Sequence, residues 1–298
     1  MQNQLSHCGF VTITGRPNVG KSTLLNHIMG QKLSITSRKP QTTRTHISGI
    51  KTSSDSQIVF VDTPGLQKKP VTAFNRYMNR EVFNALSHID VIVHVVEALK
   101  WTDADLNVYE HIKKQDCQII LVINKIDRIK DKAELLPFIK QLDPEKIYNE
   151  IVPVSAKHGH NIDSLENHIR KCLHSGTPQY PEDQITDRNE RFFAAEFIRE
   201  KLTRTLGDEI PYNISVTIDK FKEEEKLIKI QATIWVASGG QKKIVIGKNG
   251  AILKKTGEQA RKDMEKMFGR KIYLQTWVKI KNKWTSNVQA LKQFGYGD

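Results

Sequence analysis

The residues best suited to chemistry sit in a few short strings. Gly15-Arg16-Pro17-Asn18-Val19-Gly20-Lys21-Ser22 brackets four residues between two glycines and ends in Lys-Ser. Set between a strand and a helix, such a loop wraps main-chain N–H groups around a phosphate chain. Lys21 then reaches the β- and γ-phosphates, the Ser22 hydroxyl can ligate Mg²⁺, and the helix that continues through Thr23 points its positive end at the anion. Asp62-Thr63-Pro64-Gly65 follows the apolar run Ile58 to Val61. A carboxylate at that place can hold the Mg²⁺ shell, while the Gly65 N–H senses the γ-phosphate.

Asn124-Lys125-Ile126-Asp127 closes another apolar run. A carboxylate there accepts from both the N1–H and the 2-amino group of guanine, and adenine offers no such pair of donors. A buried carboxylate left unpaired is costly, so this geometry discriminates between the bases. Ser155-Ala156-Lys157, after the next apolar run, would support the base through main-chain N–H groups. Between the phosphate loop and Asp62 lies Lys39-Pro40-Gln41-Thr42-Thr43-Arg44-Thr45. A loop here should supply a threonine that closes onto Mg²⁺ and the γ-phosphate and relaxes after hydrolysis. Thr43 is the first candidate and Thr42 the second. Lys21, Thr43 and Gly65 thus form the candidate catalytic set, and Ser22, Thr43 and Asp62 the candidate metal ligands. Leu66, which follows Gly65 at once, is apolar and can neither orient nor activate water, and no string marks an arginine finger. Both argue for slow intrinsic turnover.

These strings need a scaffold. Phe10 to Thr14, Ile58 to Asp62, Val91 to Val96, Ile119 to Ile123 and Ile151 to Val154 are short, rich in Val and Ile, and end in polar or turn residues, the pattern of strands buried on both faces. Helical stretches such as Lys21 to Met29 lie between them, which predicts an α/β domain with a mostly parallel sheet over residues 1–175. A polar, proline-containing connector over 176–190 separates it from an α+β domain over 191–298. There a helix is expected over Glu190 to Thr205, a hairpin from Asn213 to Phe221 and Leu227 to Ala237, a β-like run at Ile244 to Ile246, a helix from Ala251 to Phe268, a strand from Ile272 to Ile280 and a short helix near Asn287 to Leu291.

Charge is unevenly placed. Residues 226–298 carry 16 Lys+Arg against 4 Asp+Glu, +12 of the chain's formal +13. That concentration points to a polyanion partner. Ile246-Gly247-Lys248-Asn249-Gly250, followed by Lys254 and Lys255, forms a turn that lets main chain and a helix start approach phosphates. Trp277 and Trp284 are candidate stacking platforms, with Trp235 and Trp277 equally suited to the core. A C-terminal domain that binds a protein or a membrane surface remains the alternative. No apolar stretch, that around Val91 to Val96 included, approaches the length of a membrane span, and Met1 to Cys8 lacks the pattern of a signal peptide, so the cytoplasm is the expected location. Cys8, Cys117 and Cys172 sit at no metal-ligand spacing.

The strings taken together resemble the Era-like GTPases of the TRAFAC class. Pro40-Gln41-Thr42-Thr43-Arg44 and the phosphate loop carry the resemblance, and the order helix, strand, strand, helix, helix, strand around Gly247–Gly250 is similar to a type 2 KH domain. The resemblance covers about residues 8 to 285. It implies GTP/GDP binding with Mg²⁺, GTP hydrolysis, and binding near the 3′ end of small-subunit (16S) ribosomal RNA. It also implies a role in 30S subunit assembly, loose peripheral association with the bacterial inner membrane, and an Asn at the position of Asn18 that in some relatives helps hold K⁺. Without a coiled-coil pattern, a monomer is the expectation.

Overall fold

The structure, a computed structural model, describes residues 5–37, 39, 42–65, 71–86, 89–142, 145–207 and 213–296. The chain forms two compact units. One comprises Met1–Ser34, Thr43–Lys69 and Met78–Asp187, the other Ile35–Thr42, Pro70–Tyr77 and Arg188–Asp298. Leu66 lies outside the described residues, as do Pro40 and Gln41.

The first unit alternates β1 (Leu5–Thr14), α1 (Lys21–Ile28), β2 (Ile47–Thr52), β3 (Ser56–Asp62), α2 (Ala73–Ala85), β4 (Val91–Glu97), α3 (Asp103–Ile112), β5 (Gln118–Asn124), α4 (Leu135–Leu142), β6 (Glu150–Val154), α5 (Ile162–Lys171) and β7 (His174–Gly176). The first turn of α2 is grouped with the second unit. The sheet order is β2-β3-β1-β4-β5-β6, with β7 antiparallel on β1. β3, β1, β4, β5 and β6 run parallel to one another, whereas β2 runs antiparallel to β3. Val91, Val93, Val95, Ile120 and Val122 pack on one face of the sheet with Leu24, Leu25, Leu165 and Ile169; Ile92, Val96, Leu121 and Ile123 pack on the other with Val108 and Ile112. Covering both faces accounts for the unbroken apolar runs.

Two features were not read from the sequence. β2, Ile-Ser-Gly-Ile-Lys-Thr, has no strong alternation, and it is fixed by pairing with β3 from Ile47↔Asp62 to Thr52↔Gln57. The polar stretch after Lys171 is also ordered: His174–Gly176 is a strand, and the segment beyond runs along β2 and β3. The Gln57 amide oxygen accepts from the N–H groups of Gln179 and Tyr180 at 2.7 and 3.0 Å, and the Ile50 N–H donates to the Ile185 carbonyl at 2.9 Å. This satisfies main-chain groups that an edge strand would otherwise leave open.

The second unit contains α6 (Glu190–Thr205), β8 (Ser215–Glu223), β9 (Leu227–Val236), α7 (Gly239–Ile246), α8 (Ala251–Phe268), β10 (Lys271–Ile280) and α9 (Val288–Gln293). β8 and β9 form the expected hairpin, and β10 joins β9 in parallel as the edge strand of the order β10-β9-β8. Ile228, Ile230, Ala232, Ile234 and Val236 alternate along β9 and are buried, as are Phe193, Phe197, Ala260 and Met264 of α6 and α8. The β-like run at Ile244–Ile246 is corrected: it is the last turn of α7, whose Ser238 hydroxyl caps the helix by accepting from the Gln241 N–H. Val245 is buried while Ile244 is exposed, so packing of one apolar position overrides the β preference of three branched residues.

This unit also holds two segments from earlier in the chain. The Thr36 N–H donates to Glu200 at 3.0 Å, Arg204 donates to the Thr36 carbonyl at 2.9 Å, and Arg199 donates to the Thr42 carbonyl at 2.5 Å. Phe74 packs against Trp284 and Tyr296, with ring centroids 5.5 and 4.9 Å away. Trp284 is fully buried and its indole N–H donates to the Asn213 carbonyl, so it is a core residue and not a stacking platform.

Candidate functional site

In the first unit, the strings all emerge at the carboxyl ends of parallel strands. Arg16 to Gly20 follow β1, Asp62 and Asn124 end β3 and β5, and Ser155 follows β6. That edge is where open α/β sheets place ligands. The α1 helix begins at Lys21 directly after Gly20, so its free N–H groups face the loop.

Lys21 is buried and donates to the Gly15 and Arg16 carbonyls at 2.9 and 3.2 Å. Burial pushes its pKa down to about 8, with Asp62 pulling the other way. The Ser22 hydroxyl donates to Asp62 Oδ2 at 2.8 Å and lies 2.9 Å from the Thr43 hydroxyl, which itself donates to Asp62 Oδ2 at 3.3 Å. Ser34, which the sequence did not single out, donates to the same oxygen at 2.8 Å. Burial raises the Asp62 pKa against the pull of Lys21 and these hydroxyls. Asp62 Oδ1 is buried without a hydrogen-bond partner. A set of hard oxygen donors with one orphaned carboxylate oxygen suits Mg²⁺. Thr42 is not part of this set; its hydroxyl donates to the Lys39 carbonyl at 2.6 Å.

Thr63, Pro64 and Gly65 are buried beside the phosphate loop, and the Thr63 hydroxyl donates to the Ile13 carbonyl at 3.0 Å. A Cβ on Gly65 would stand 2.7 Å from Pro17 Cγ, so a residue with a side chain could not bring the main chain this close. Asn18, with φ 67°, and Thr23 complete the loop and the first turn of α1.

The base-side strings interlock. Asn124 donates from Nδ2 to the Val19 carbonyl at 2.8 Å and accepts at Oδ1 from the N–H groups of Lys125 and Ala156 at 2.7 and 3.0 Å. Lys125 donates to the Asn18 carbonyl at 2.7 Å. Asp127, at the rim in a short 3₁₀ turn with Ile126, accepts from the Ser155 hydroxyl at 2.6 Å, a bond that holds its carboxyl below the ordinary range. Lys157 is exposed next to buried Ala156.

Glu97 and Asp105 were missed. Arg16 donates to Asp105 Oδ2 at 2.8 Å and to Glu97 Oε2 at 3.3 Å, and Lys125 pairs with the same Glu97 oxygen at 2.9 Å. One carboxylate therefore joins the phosphate loop to the base loop. Burial pushes the Glu97 pKa up, but the bonds and charges of Lys125 and Arg16 outweigh it and hold the carboxyl low. The signal was present: Glu97 is the first polar residue after an apolar run, just as Asp62 and Asn124 are.

In the second unit, Gly250, Leu253, Lys254, Gly257, Glu258, Arg261, Leu274 and Thr276 line a cleft of about 360 Å³. Gly247, with φ 75°, ends α7, and Lys248 and Asn249 are exposed on the turn. Ile246 and Lys255 flank the cleft lining without belonging to it. Lys254, Gly257, Glu258 and Arg261 are spaced three and four apart on α8, a face legible from the sequence.

A family model described as a 50S ribosome-binding GTPase matches residues 10–125, and one described as a KH domain matches residues 209–285. The chain is 53% identical to GTPase Era of Pseudomonas fluorescens, with 98% of each chain covered, and 51% identical to GTPase Era of Pseudomonas aeruginosa, covering 98% of this chain and 96% of the relative. The chain belongs to the Era GTPases. It is thus a GTP-hydrolysing enzyme with a C-terminal KH domain. Among solved Era structures, one from Aquifex aeolicus, a variant bound to GDP and AlF4⁻, superposes with a TM-score of 0.94 at 38% identity over 98% of this chain and all of that one. Another, Era in complex with MgGDPNP and nucleotides 1506–1542 of 16S ribosomal RNA, gives 0.95 with the same identity and coverage.

Proposed function

We propose that this Era-family GTPase couples its nucleotide site to binding of single-stranded RNA from the 3′ region of 16S ribosomal RNA, and that it acts in 30S subunit assembly. The observation that carries the RNA reading is the cleft of α8 and β10, bordered by the Gly247–Gly250 turn and lined by Lys254 and Arg261. A KH module clamps about four nucleotides in such a groove. The structure of a related Era with a 16S ribosomal RNA segment supports the assignment.

In the nucleotide site, Lys21 and the N–H groups of the Gly15–Ser22 loop hold the phosphates. Asp127, with the Asn124–Ala156 scaffold behind it, reads guanine. Ser22, Thr43 and Asp62 would hold Mg²⁺, as the donor set and the MgGDPNP complex of the relative support. Bound there, the ion would offset charge on the β- and γ-phosphate oxygens. Thr43 and the Gly65 N–H report the γ-phosphate. Turnover is slow without a partner that supplies transition-state charge. K⁺ held near Asn18, peripheral attachment to the inner membrane of an otherwise cytoplasmic protein, and a monomeric state belong to the same reading.

The test is GTP hydrolysis with and without a single-stranded oligonucleotide matching the 3′ end of 16S ribosomal RNA, for the wild type and for Lys248→Asp. Stimulation that the variant loses is expected. RNA binding that Lys248→Asp and Gly247→Asp leave unchanged would sink the RNA reading.

A further inference from the structure

The sheet of the C-terminal unit has two faces, and the cleft uses only one of them. Along β10 the side chains alternate. Leu274 and Thr276 line the cleft beside α8, whereas Tyr273 and Gln275 line a second hollow of about 150 Å³ on the opposite face. That hollow is completed from β8 and β9 by Lys220, Lys222 and Lys229. The register sets Tyr273 beside Lys229 and Lys229 beside Lys222, so an aromatic ring and two ammonium groups stand in one row across the strands. Trp277 is two positions past Gln275 on the same face. Tyr273 is 50% exposed and Trp277 44%, unlike Trp235, whose ring is packed against Phe294 at 5.2 Å. The covered end of this face is therefore distinct from an open end that presents two bare aromatic rings among lysines.

Glu224 pairs with Lys222 and Lys229 at 3.2 and 2.9 Å. These pairs are exposed and contribute little to stability, so they present no large barrier to a polyanion. β10 is the edge strand. A strand of nucleic acid leaving the cleft therefore has only this one strand to round to reach the other face.

We infer that the open face of this sheet, with Tyr273 and Trp277 as stacking surfaces and Lys220, Lys222 and Lys229 as phosphate contacts, is a second single-stranded RNA site that takes up the chain running on from the cleft. This rests on the RNA reading of the cleft. Aromatic rings set in a basic surface bind successive bases with little sequence preference, because every base has a π-face. The site therefore adds affinity and length, while the cleft selects sequence.

The experiment measures binding of fluorescent single-stranded RNA to the full chain. One probe is a four-nucleotide core, and two others extend that core by six nucleotides at the 5′ or the 3′ end. The wild type is expected to bind one extended probe on the order of a hundredfold tighter than the core, about tenfold for each ring. Tyr273→Ala with Trp277→Ala should leave core binding unchanged and lower affinity for the extended probe by on the order of tenfold per ring. Tyr273→Phe with Trp277→Phe keeps both π-faces and should keep the gain, which separates stacking from misfolding. Lys222→Gln with Lys229→Gln should reduce the salt slope for the extended probe by about 1.4, at about 0.7 per phosphate contact. Equal affinity of the wild type for all three probes, or a gain that survives the double alanine variant, overturns the proposal. Failure of the core probe to bind, with no effect of Lys248→Asp, would instead overturn the reading of the cleft.

Discussion

Glu97→Gln isolates the link between the phosphate loop and the base loop. The substitution keeps shape and one acceptor oxygen and removes the charge. Glu97 and its partners Arg16 and Lys125 are 17%, 11% and 19% exposed, so screening is partial, whereas Arg128, the third cation on this carboxylate, is 66% exposed and contributes little. Hydrogen bonds to charged groups are worth about 1.5–3 kcal/mol and neutral ones about 1 kcal/mol. Losing the charge on two half-screened contacts should then cost about 2 kcal/mol of loop order. Where nucleotide binding must restore that order, the cost falls on affinity, roughly 10- to 30-fold at about 1.4 kcal/mol per factor of ten. The assay is the dissociation rate of a fluorescent GDP analogue, chased with excess GDP. Glu97→Gln should release it roughly 10- to 30-fold faster, and Arg128→Gln less than about twofold faster, since its contact is screened. A Glu97→Gln rate within twofold of the wild type, or an equal effect from Arg128→Gln, would refute the reasoning.

Other expectations follow from single positions. His94 is buried on β4 with Nδ1 2.8 Å from the Tyr148 hydroxyl, and burial, then Lys21, push its pKa down from 6.5 to about 3. A base depressed in the native state stabilises above its unfolded pKa; as pH falls from 6.5 towards 3 the unfolded chain gains a proton that the native state refuses. Relative to His94→Phe, the wild type should lose about 2–3 kcal/mol between pH 6.5 and 4.5 in urea unfolding of the nucleotide-binding unit, and parallel curves would contradict the assignment. At the RNA turn, a Cβ on Gly247 would stand 2.7 Å from Ile252 Cγ1, while at Gly250 it meets nothing within 4 Å, although both have positive φ. Gly250→Ala should therefore cost only about 1 kcal/mol of left-handed strain, and Gly247→Ala clearly more, in thermal melts. Asp127→Asn removes the acceptor pair for guanine and should shift nucleotide preference towards xanthine, read by competition against labelled GDP.

Much of the nucleotide site was legible because its chemistry is local. Gly15 to Ser22, Asp62 to Gly65 and Asn124 to Asp127 each carry their role in contiguous residues, and each ends a strand that its own apolar run announces. What escaped was chemistry assembled across the sheet. Glu97, Asp105 and Ser34 acquire roles only when β4, α3 and the loop after α1 meet Arg16 and Asp62. β2 escaped because its form is dictated by β3, and the segment after Lys171 because Gln57 and Ile50 hold it in place through main-chain hydrogen bonds. In the C-terminal unit, the expected bounds of α6 hold: Phe193 and Phe197 mark its buried side, and the structure adds Asn189 as its cap. Ile244 to Ile246 misled because three branched residues favour a strand locally, while the Ser238 cap and burial of Val245 favour a helix.

The route of the backbone has a consequence for recombination. Residues 35–42 and 70–77 are grouped with the C-terminal unit, so the chain passes from one unit to the other five times. No single cut or fusion junction yields either unit with its interior complete. An excised N-terminal fragment keeps Phe74 and Tyr77 but loses Trp284 and Tyr296, the rings they pack against. An excised C-terminal fragment lacks Phe74 from the same aromatic cluster and lacks the Thr36 and Thr42 partners of α6. Each half keeps its own sheet, yet a fusion that exchanges either half at one junction would part Phe74 from Trp284 and Tyr296.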